Sequence, residues 1–188
     1  MADLTTLRHS PLEGLGNSGG EQVRLRELPF ATMVSVRVDP NGAAAAALER
    51  ALGTALPRTV GQVAEHGHHY ALWLGPDEWL VISEVEPAPL VTTMSAAVEG
   101  AHASCVDVSA NRTILELTGP AARSVLAKGC PTDLHPRALQ PGMAVVTTLA
   151  RVPLLLWQVD TETYRLLPRS SFADYTARWL QDAMTEFG

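Results

Sequence analysis

The 188 residues are 46% apolar and 18% charged, with a formal net charge of −6, a balance that supports a sizeable buried core. The 14 Lys and Arg residues are scattered without a run, which argues against nucleic acid as a partner, since phosphate-backbone binding needs clustered cations. The longest apolar run, Val152 to Trp157, is far below the roughly 20 residues of a membrane helix; Asp3, Arg8 and Glu13 interrupt any signal-like pattern, so a cytoplasmic chain is expected.

Residues 1–24 are expected to form an N-terminal arm, because the stretch to Gly20 is Gly-rich and aperiodic. Two readings stand side by side: a frayed tail, or an arm that lies on a partner chain. A strand is predicted over Ala31–Val38, a turn at Asp39–Gly42 and an Ala-rich helix from Ala43 to Leu52, stopped near Gly53. Tyr70–Leu74 and Glu78–Ser83 read as a hairpin around Gly75-Pro76-Asp77. Leu90, Val91, Met94, Ala97 and Val98 recur at helical spacing, and Ala103–Val108 supplies another strand. The order strand, helix, strand, strand, helix, strand is that of the ferredoxin-like split unit.

Asp107 to Gly129 is the best-marked strand-to-helix stretch. Arg112–Leu117 alternates like a half-buried strand, Thr118 is placed as an N-cap with Pro120 in the first turn, and Gly129 closes the helix. Strands follow at Met143–Ala150, Val152–Val159 and Tyr164–Leu167. A closing helix runs from Phe172 to about Phe187, with Ser171 and Asp174 as a capping box. The strand-helix order thus begins a second time. Aligning Leu72–Ile82 with Leu156–Leu167 sets Trp73 and Trp157 84 positions apart, and a period near 80 implies a duplicated domain. The predicted fold is α+β: two βαββαβ units, about 25–108 and 109–188, within a single domain over 25–188.

Candidate chemistry is sparse. His66, His68 and His69 cluster, but a zinc site needs a third or fourth ligand and none is evident, so a solvated loop is expected. Cys105 and Cys130 lack paired C-x-x-C spacing and read as free thiols. No phosphate-binding or dinucleotide glycine motif sits between a strand and a helix. Glu116 is assigned to the solvated side of its strand. Asp107 and Arg112 flank the Val-Ser-Ala-Asn turn; the favoured reading is that they pair and pin it, the other that they face a partner subunit. Val152–Trp157 does not alternate and contains Pro153, which suggests an apolar strand at a free edge. Arg151, Val152, Pro153, Leu154, Trp157, Arg169 and Phe172 are therefore the candidate subunit interface.

Asp107-Val-Ser followed by Gly119-Pro-Ala-Ala resembles the signature of the glycine-cleavage T-protein and folate-binding aminomethyltransferase superfamily, whose core is a duplicated ferredoxin-like unit. Over nearly its whole length the chain is more closely similar to the gamma-subunit family of heterotetrameric sarcosine oxidases. Trp79-Leu-Val, Asp107 to Pro136, Ala150 to Gln158 and Arg169 to Leu180 carry that likeness. It implies a complex that demethylates sarcosine oxidatively to glycine, yielding 5,10-methylenetetrahydrofolate or formaldehyde, with hydrogen peroxide as the product of oxygen. It also implies alpha, beta and delta partner subunits that hold FAD, FMN, NAD, tetrahydrofolate and zinc, with no cofactor in this chain. T-proteins place a catalytic aspartate in the hairpin that here spans Met143–Val159. That interval contains no Asp or Glu, so a structural, assembly role without its own active site is expected. The alternatives are a free-standing folate-dependent one-carbon transferase and the equivalent subunit of N-methylglutamate dehydrogenase.

Overall fold

A computed structural model describes residues 8–188; the first seven residues of the predicted arm lie outside the described residues. The chain runs β1 (Ser18–Gly19), β2 (Arg24–Leu28), β3 (Thr32–Arg37), α1 (Ala43–Leu52), β4 (Val63–His66), β5 (His69–Gly75), β6 (Glu78–Ser83), α2 (Pro87–Ala97) and β7 (Ser104–Asp107). It continues with β8 (Ile114–Thr118), α3 (Ala122–Ala127), β9 (Met143–Leu149), β10 (Val152–Gln158), β11 (Thr163–Pro168) and α4 (Ala173–Met184), flanked by short 3-10 turns. The strands form two sheets, β4-β5-β6-β3-β7 and β1-β2-β8-β11-β10-β9. Every pairing in them is antiparallel.

Strand alternation sorts the apolar residues into three layers. Val34, Val36, Trp79 and Val81 face outward from the first sheet onto Leu48 of α1 and Met94 of α2. Leu115, Leu117, Leu154, Leu156 and Tyr164 face outward from the second onto Val125 of α3 and Leu180 of α4. Between the sheets Met33, Leu72, Leu80 and Ile82 meet Ile114, Leu155, Trp157 and Leu167. The result is a four-layer α+β molecule in which each sheet buries one face on helices and the other on its counterpart. Fully burying one such Leu or Val contributes about 1.5–3 kcal/mol, so this double burial is what fixes the arrangement.

The duplication is present, with a rearrangement. Taking β3, β5, β6 and β7 as first to fourth strands, the first sheet has the spatial order 2-3-1-4 with β4 added at its edge. In the second, β8, β10 and β11 take the first three places and β9 is the added edge strand. The fourth place is filled by β2, from the beginning of the chain. The segment from Arg8 on is therefore no arm with few contacts: Leu12, Val23 and Leu25 are buried in the second unit's core. Serine and glutamate fasten it, with Ser10 Oγ and Thr113 Oγ1 each donating to the Glu27 carboxylate at 2.6 Å.

Several local expectations are corrected. Trp73 packs on the helix side of its sheet and Trp157 on the inter-sheet side; with a side-chain period of two, an even offset of 84 cannot superpose equivalent faces. Strand β8 is buried on both faces because α3 and α4 cover one and the first sheet covers the other. Its alternation therefore separates two buried environments. Thr118 and Ser171 make no capping bond: α3 starts at Ala122 after Ala121, and Asp174 pairs instead with Arg178 at 2.9 Å. Gly129 serves close approach, since a Cβ there would sit 2.5 Å from the Trp179 ring. The histidine stretch is a tight hairpin between β4 and β5, His66 opposite His69, with Gly67 at φ 57°.

Candidate subunit interface

The interface residues separate cleanly into a buried and an exposed set. Val152, Leu154 and Trp157 are 5%, 2% and 2% exposed and belong to this chain's own cores. They present nothing to a partner. The expectation of a free edge at Val152–Trp157 is likewise overturned, because β10 lies between β9 and β11. The unbroken apolar run is the signature of a central strand covered on both faces. Pro153 stands one residue before the first β10–β11 pair, Leu154 opposite Pro168, so its missing N–H removes no bond from that ladder.

Arg151, Pro153, Arg169 and Phe172 remain on the surface. The β9–β10 hairpin turns through Ala150 at φ 46° and Arg151 at φ 72°, the two successive positive values of a type I′ turn. This aims the arginine away from the sheet. Tyr175 Oη donates to Ala150 O at 3.3 Å, fastening the hairpin tip to α4. Phe172, Tyr175 and Trp179 follow one another at spacings of three and four, so they line one stripe of that helix. Phe172 is 42% and Tyr175 52% exposed. An aromatic stripe beside a projecting arginine has the composition of an interface centre. Tyr175 is a member that the candidate set from the sequence lacks.

Asp107 and Arg112 do not pair. Asp107 Oδ1 accepts from Ser109 N at 2.9 Å and Ser109 Oγ at 2.6 Å, an Asx turn closed within its own loop. Arg112 reaches the other way: Nη1 donates to Leu167 O at 2.8 Å and its backbone bridges Arg169. Each fastens one end of the connection between the two units. Burial, and the like charge of Arg169, lower the guanidinium's pKa.

Glu116 is also not solvated. At 4% exposure its carboxylate lies in a cross-strand row between Arg26 of β2 and Arg165 of β11. Arg26 Nε donates at 2.8 Å and Arg165 Nε at 3.0 Å. Arg165 in turn lies 4.8 Å from the Trp157 ring, whose centroid is 5.0 Å from that of Tyr70. Two guanidiniums satisfy both oxygens, which is what permits burial of the charge.

No group of three or more metal-ligating side chains occurs among the described residues. His68 Nδ1 lies 2.8 Å from a Glu84 oxygen and His69 Nδ1 2.9 Å from Ser83 Oγ, so these rings are engaged with β6 and its end. Cys105 and Cys130 are half-buried free thiols, and burial pushes Cys105 up to about 11. No helix is long and apolar enough to cross a membrane among the described residues.

Comparison with known proteins agrees with this architecture. Residues 37–186 match the model of the sarcosine oxidase, gamma subunit family. The chain is 48% identical to a sarcosine oxidase subunit gamma of Arthrobacter sp, covering 100% of this chain and 95% of the relative. It is 44% identical to that of Corynebacterium sp. strain U-96, with the same coverage. Among solved structures it superposes with a TM-score of 0.91 and 43% identity, over 96% of both chains, on a chain of heterotetrameric sarcosine oxidase from Corynebacterium sp. U-96 in complex with pyrrole 2-carboxylate. Glycine cleavage system aminomethyltransferase T from Bartonella henselae shares the fold, with a TM-score of 0.62 at 14% identity over 83% of this chain and 44% of that one.

Proposed function

The chain belongs to the sarcosine oxidase gamma subunit family, and from that premise we propose that it is a non-catalytic subunit of a cytoplasmic heterotetrameric complex oxidising sarcosine to glycine. Its work is structural. It presents a duplicated domain, whose core takes in residues from Leu12 on, to larger subunits, and docks on them through the hairpin tip and the aromatic stripe of α4. The alpha, beta and delta subunits hold the FAD, FMN, NAD, tetrahydrofolate and zinc; this chain holds none.

The observation that carries this reading is the full-length likeness to a chain of such a heterotetramer. The hairpin adds support. Where T-proteins carry an acid, β9 and β10 join through Ala150-Arg151, and Met143–Val159 offers no carboxylate. A hairpin without an acid or base has no group to move a proton for folate chemistry. It does have an arginine and a neighbouring tyrosine, the residues on which interfaces concentrate their energy.

The test is assembly. Coexpressed with the other subunits of such a complex, the tagged chain is expected to retain them through size-exclusion chromatography, and the assembly to oxidise sarcosine with peroxide release. A chain that elutes alone, with the remaining subunits fully active and stable without it, would refute the proposal. Isolated chain that binds tetrahydrofolate in calorimetry would instead favour the transferase reading.

A further inference from the structure

The connection between the two units borders a cleft of about 370 Å³ that the docking surface above does not use. Leu28, Phe30, Met33 and Ile114 give it apolar walls, and Arg8 and Arg112 give it two cations. Its only carboxylate among the described residues is Asp107, whose Oδ1 is committed to Ser109.

Arg112 is the informative group. Its guanidinium is partly withdrawn from water and makes one bond, from Nη1 to the Leu167 carbonyl, with no carboxylate partner among the described residues. Its charged neighbour across the bridge is another cation, Arg169. Of the other half-buried arginines among the described residues, Arg165 is answered by Glu116 and Arg123 by the Tyr164 hydroxyl, whereas Arg112 has one carbonyl and a like-charged neighbour. A desolvated guanidinium without an anion is unfavourable, and its planar donors suit a carboxylate bidentately. At the rim Phe30, in the left-handed region at φ 63°, holds its ring 47% exposed with Arg8 stacked on it at 4.7 Å. The cleft is thus apolar with a cationic end, set in a chain whose overall charge is −6.

It is also continuous with the docking surface. Ser170 lines it, and the same 3-10 turn, Ser170–Phe172, leads into α4. We propose that this cleft is the socket for an Asp or Glu side chain carried on an apolar segment of the partner subunit, its carboxylate received by Arg112 and Arg8. This rests on the subunit reading. The acidic residue enters as the partner's flanking apolar side chains cover Phe30 and Leu28, and water leaves the ion pair as the interface closes.

The experiment titrates the chain into the remaining subunits purified without it, at several salt concentrations. Arg112→Gln keeps an N–H for the Leu167 carbonyl and removes the charge; Arg8→Glu reverses an exposed charge whose contact is the exposed Phe30 ring. Each is expected to weaken binding about tenfold or more and to flatten the salt dependence. Wild-type affinity and salt slope in both variants overturn the socket while leaving the subunit reading standing. Failure of the wild-type chain to bind at all overturns both. If removing residues 1–7 lowers the melting temperature of the wild-type isolated chain but not of Arg112→Gln, the chain's own Asp3 is the anion and the socket is not the partner's. Self-association that Arg112→Gln abolishes assigns the cleft to a second copy and overturns it as well.

Discussion

The two sheets share one strand plan and complete it by different routes. In the first, α2 is followed directly by β7, which pairs with β3. In the second, α4 is the last long element, and β2 pairs with β8 from the opposite end of the sequence. A ferredoxin-like sheet needs its fourth strand in space, not in order. The difference also reaches the polar interior. Ser35 of β3 stands in the first sheet's inter-sheet face, opposite Leu80, where the second sheet sets Glu116 between Arg26 and Arg165. One of the three charges in that row arrives on the borrowed strand.

If the borrowed strand and its ion row set the second unit's stability, Glu116→Ala is expected to lose about 2–3 kcal/mol, chiefly by leaving the mostly buried Arg165 without its anion, since Arg26 is exposed. Ser35→Ala is expected to lose below about 1.5 kcal/mol. Urea unfolding compares them, and equal losses break the contrast. Leu25→Ala, a fully buried side chain on β2, is expected to cost about 3 kcal/mol. Hydrogen exchange should then show protection lost at β8 and β11 before β3 and β6; simultaneous loss means the sheets open as one body.

A smaller effect sits at the crossing between sheets. Phe30 turns the chain from β2 to β3 in a conformation unfavourable for a side chain, so Phe30→Gly is expected to raise isolated-chain stability by up to about 1 kcal/mol. A lower melting temperature would show that the exposed ring is packed more firmly than its surface implies. The smallest concerns His69, whose pKa is lowered by burial and by the neighbouring His68 and His66. The unfolded chain then binds the proton first. Stability from this group is complete above its ordinary value of 6.5 and declines as pH falls through the lowered one. His69→Gln should flatten that decline in melting temperature, with no change at the second unit's amides.

Much of the fold was legible because local signals agreed with it. Gly53 closes α1 at φ 71° where the sequence placed the stop, and the hairpin β5–β6 follows its turn residues Gly75-Pro76-Asp77. What escaped was nonlocal. Strand β2 reads as polar and irregular, Arg-Leu-Arg-Glu-Leu, because Arg26 answers Glu116 and Glu27 receives Thr113, both on or beside a strand that local periodicity cannot see. Glu116 was misplaced for the same reason: a carboxylate's burial depends on guanidiniums 90 and 49 residues away. Val152–Trp157 was read as a surface since an unalternating strand is ambiguous until the covering layers are known. The exposed half of the interface set, Arg151, Pro153, Arg169 and Phe172, lay at turns and element ends, where exposure follows from position.

The route of β2 has a consequence for synthesis. The strand leaves the ribosome early, yet its partner β8 follows only after the whole first unit has emerged. Residues 32–107 can close their own sheet early, through contacts of modest sequence separation, whereas the second closes late and at high contact order. In the interval β2 is an unsatisfied edge held on a growing chain. Folding of this protein is therefore expected to be two-phased, with the last step a ring closure that draws β1 and the last helix together.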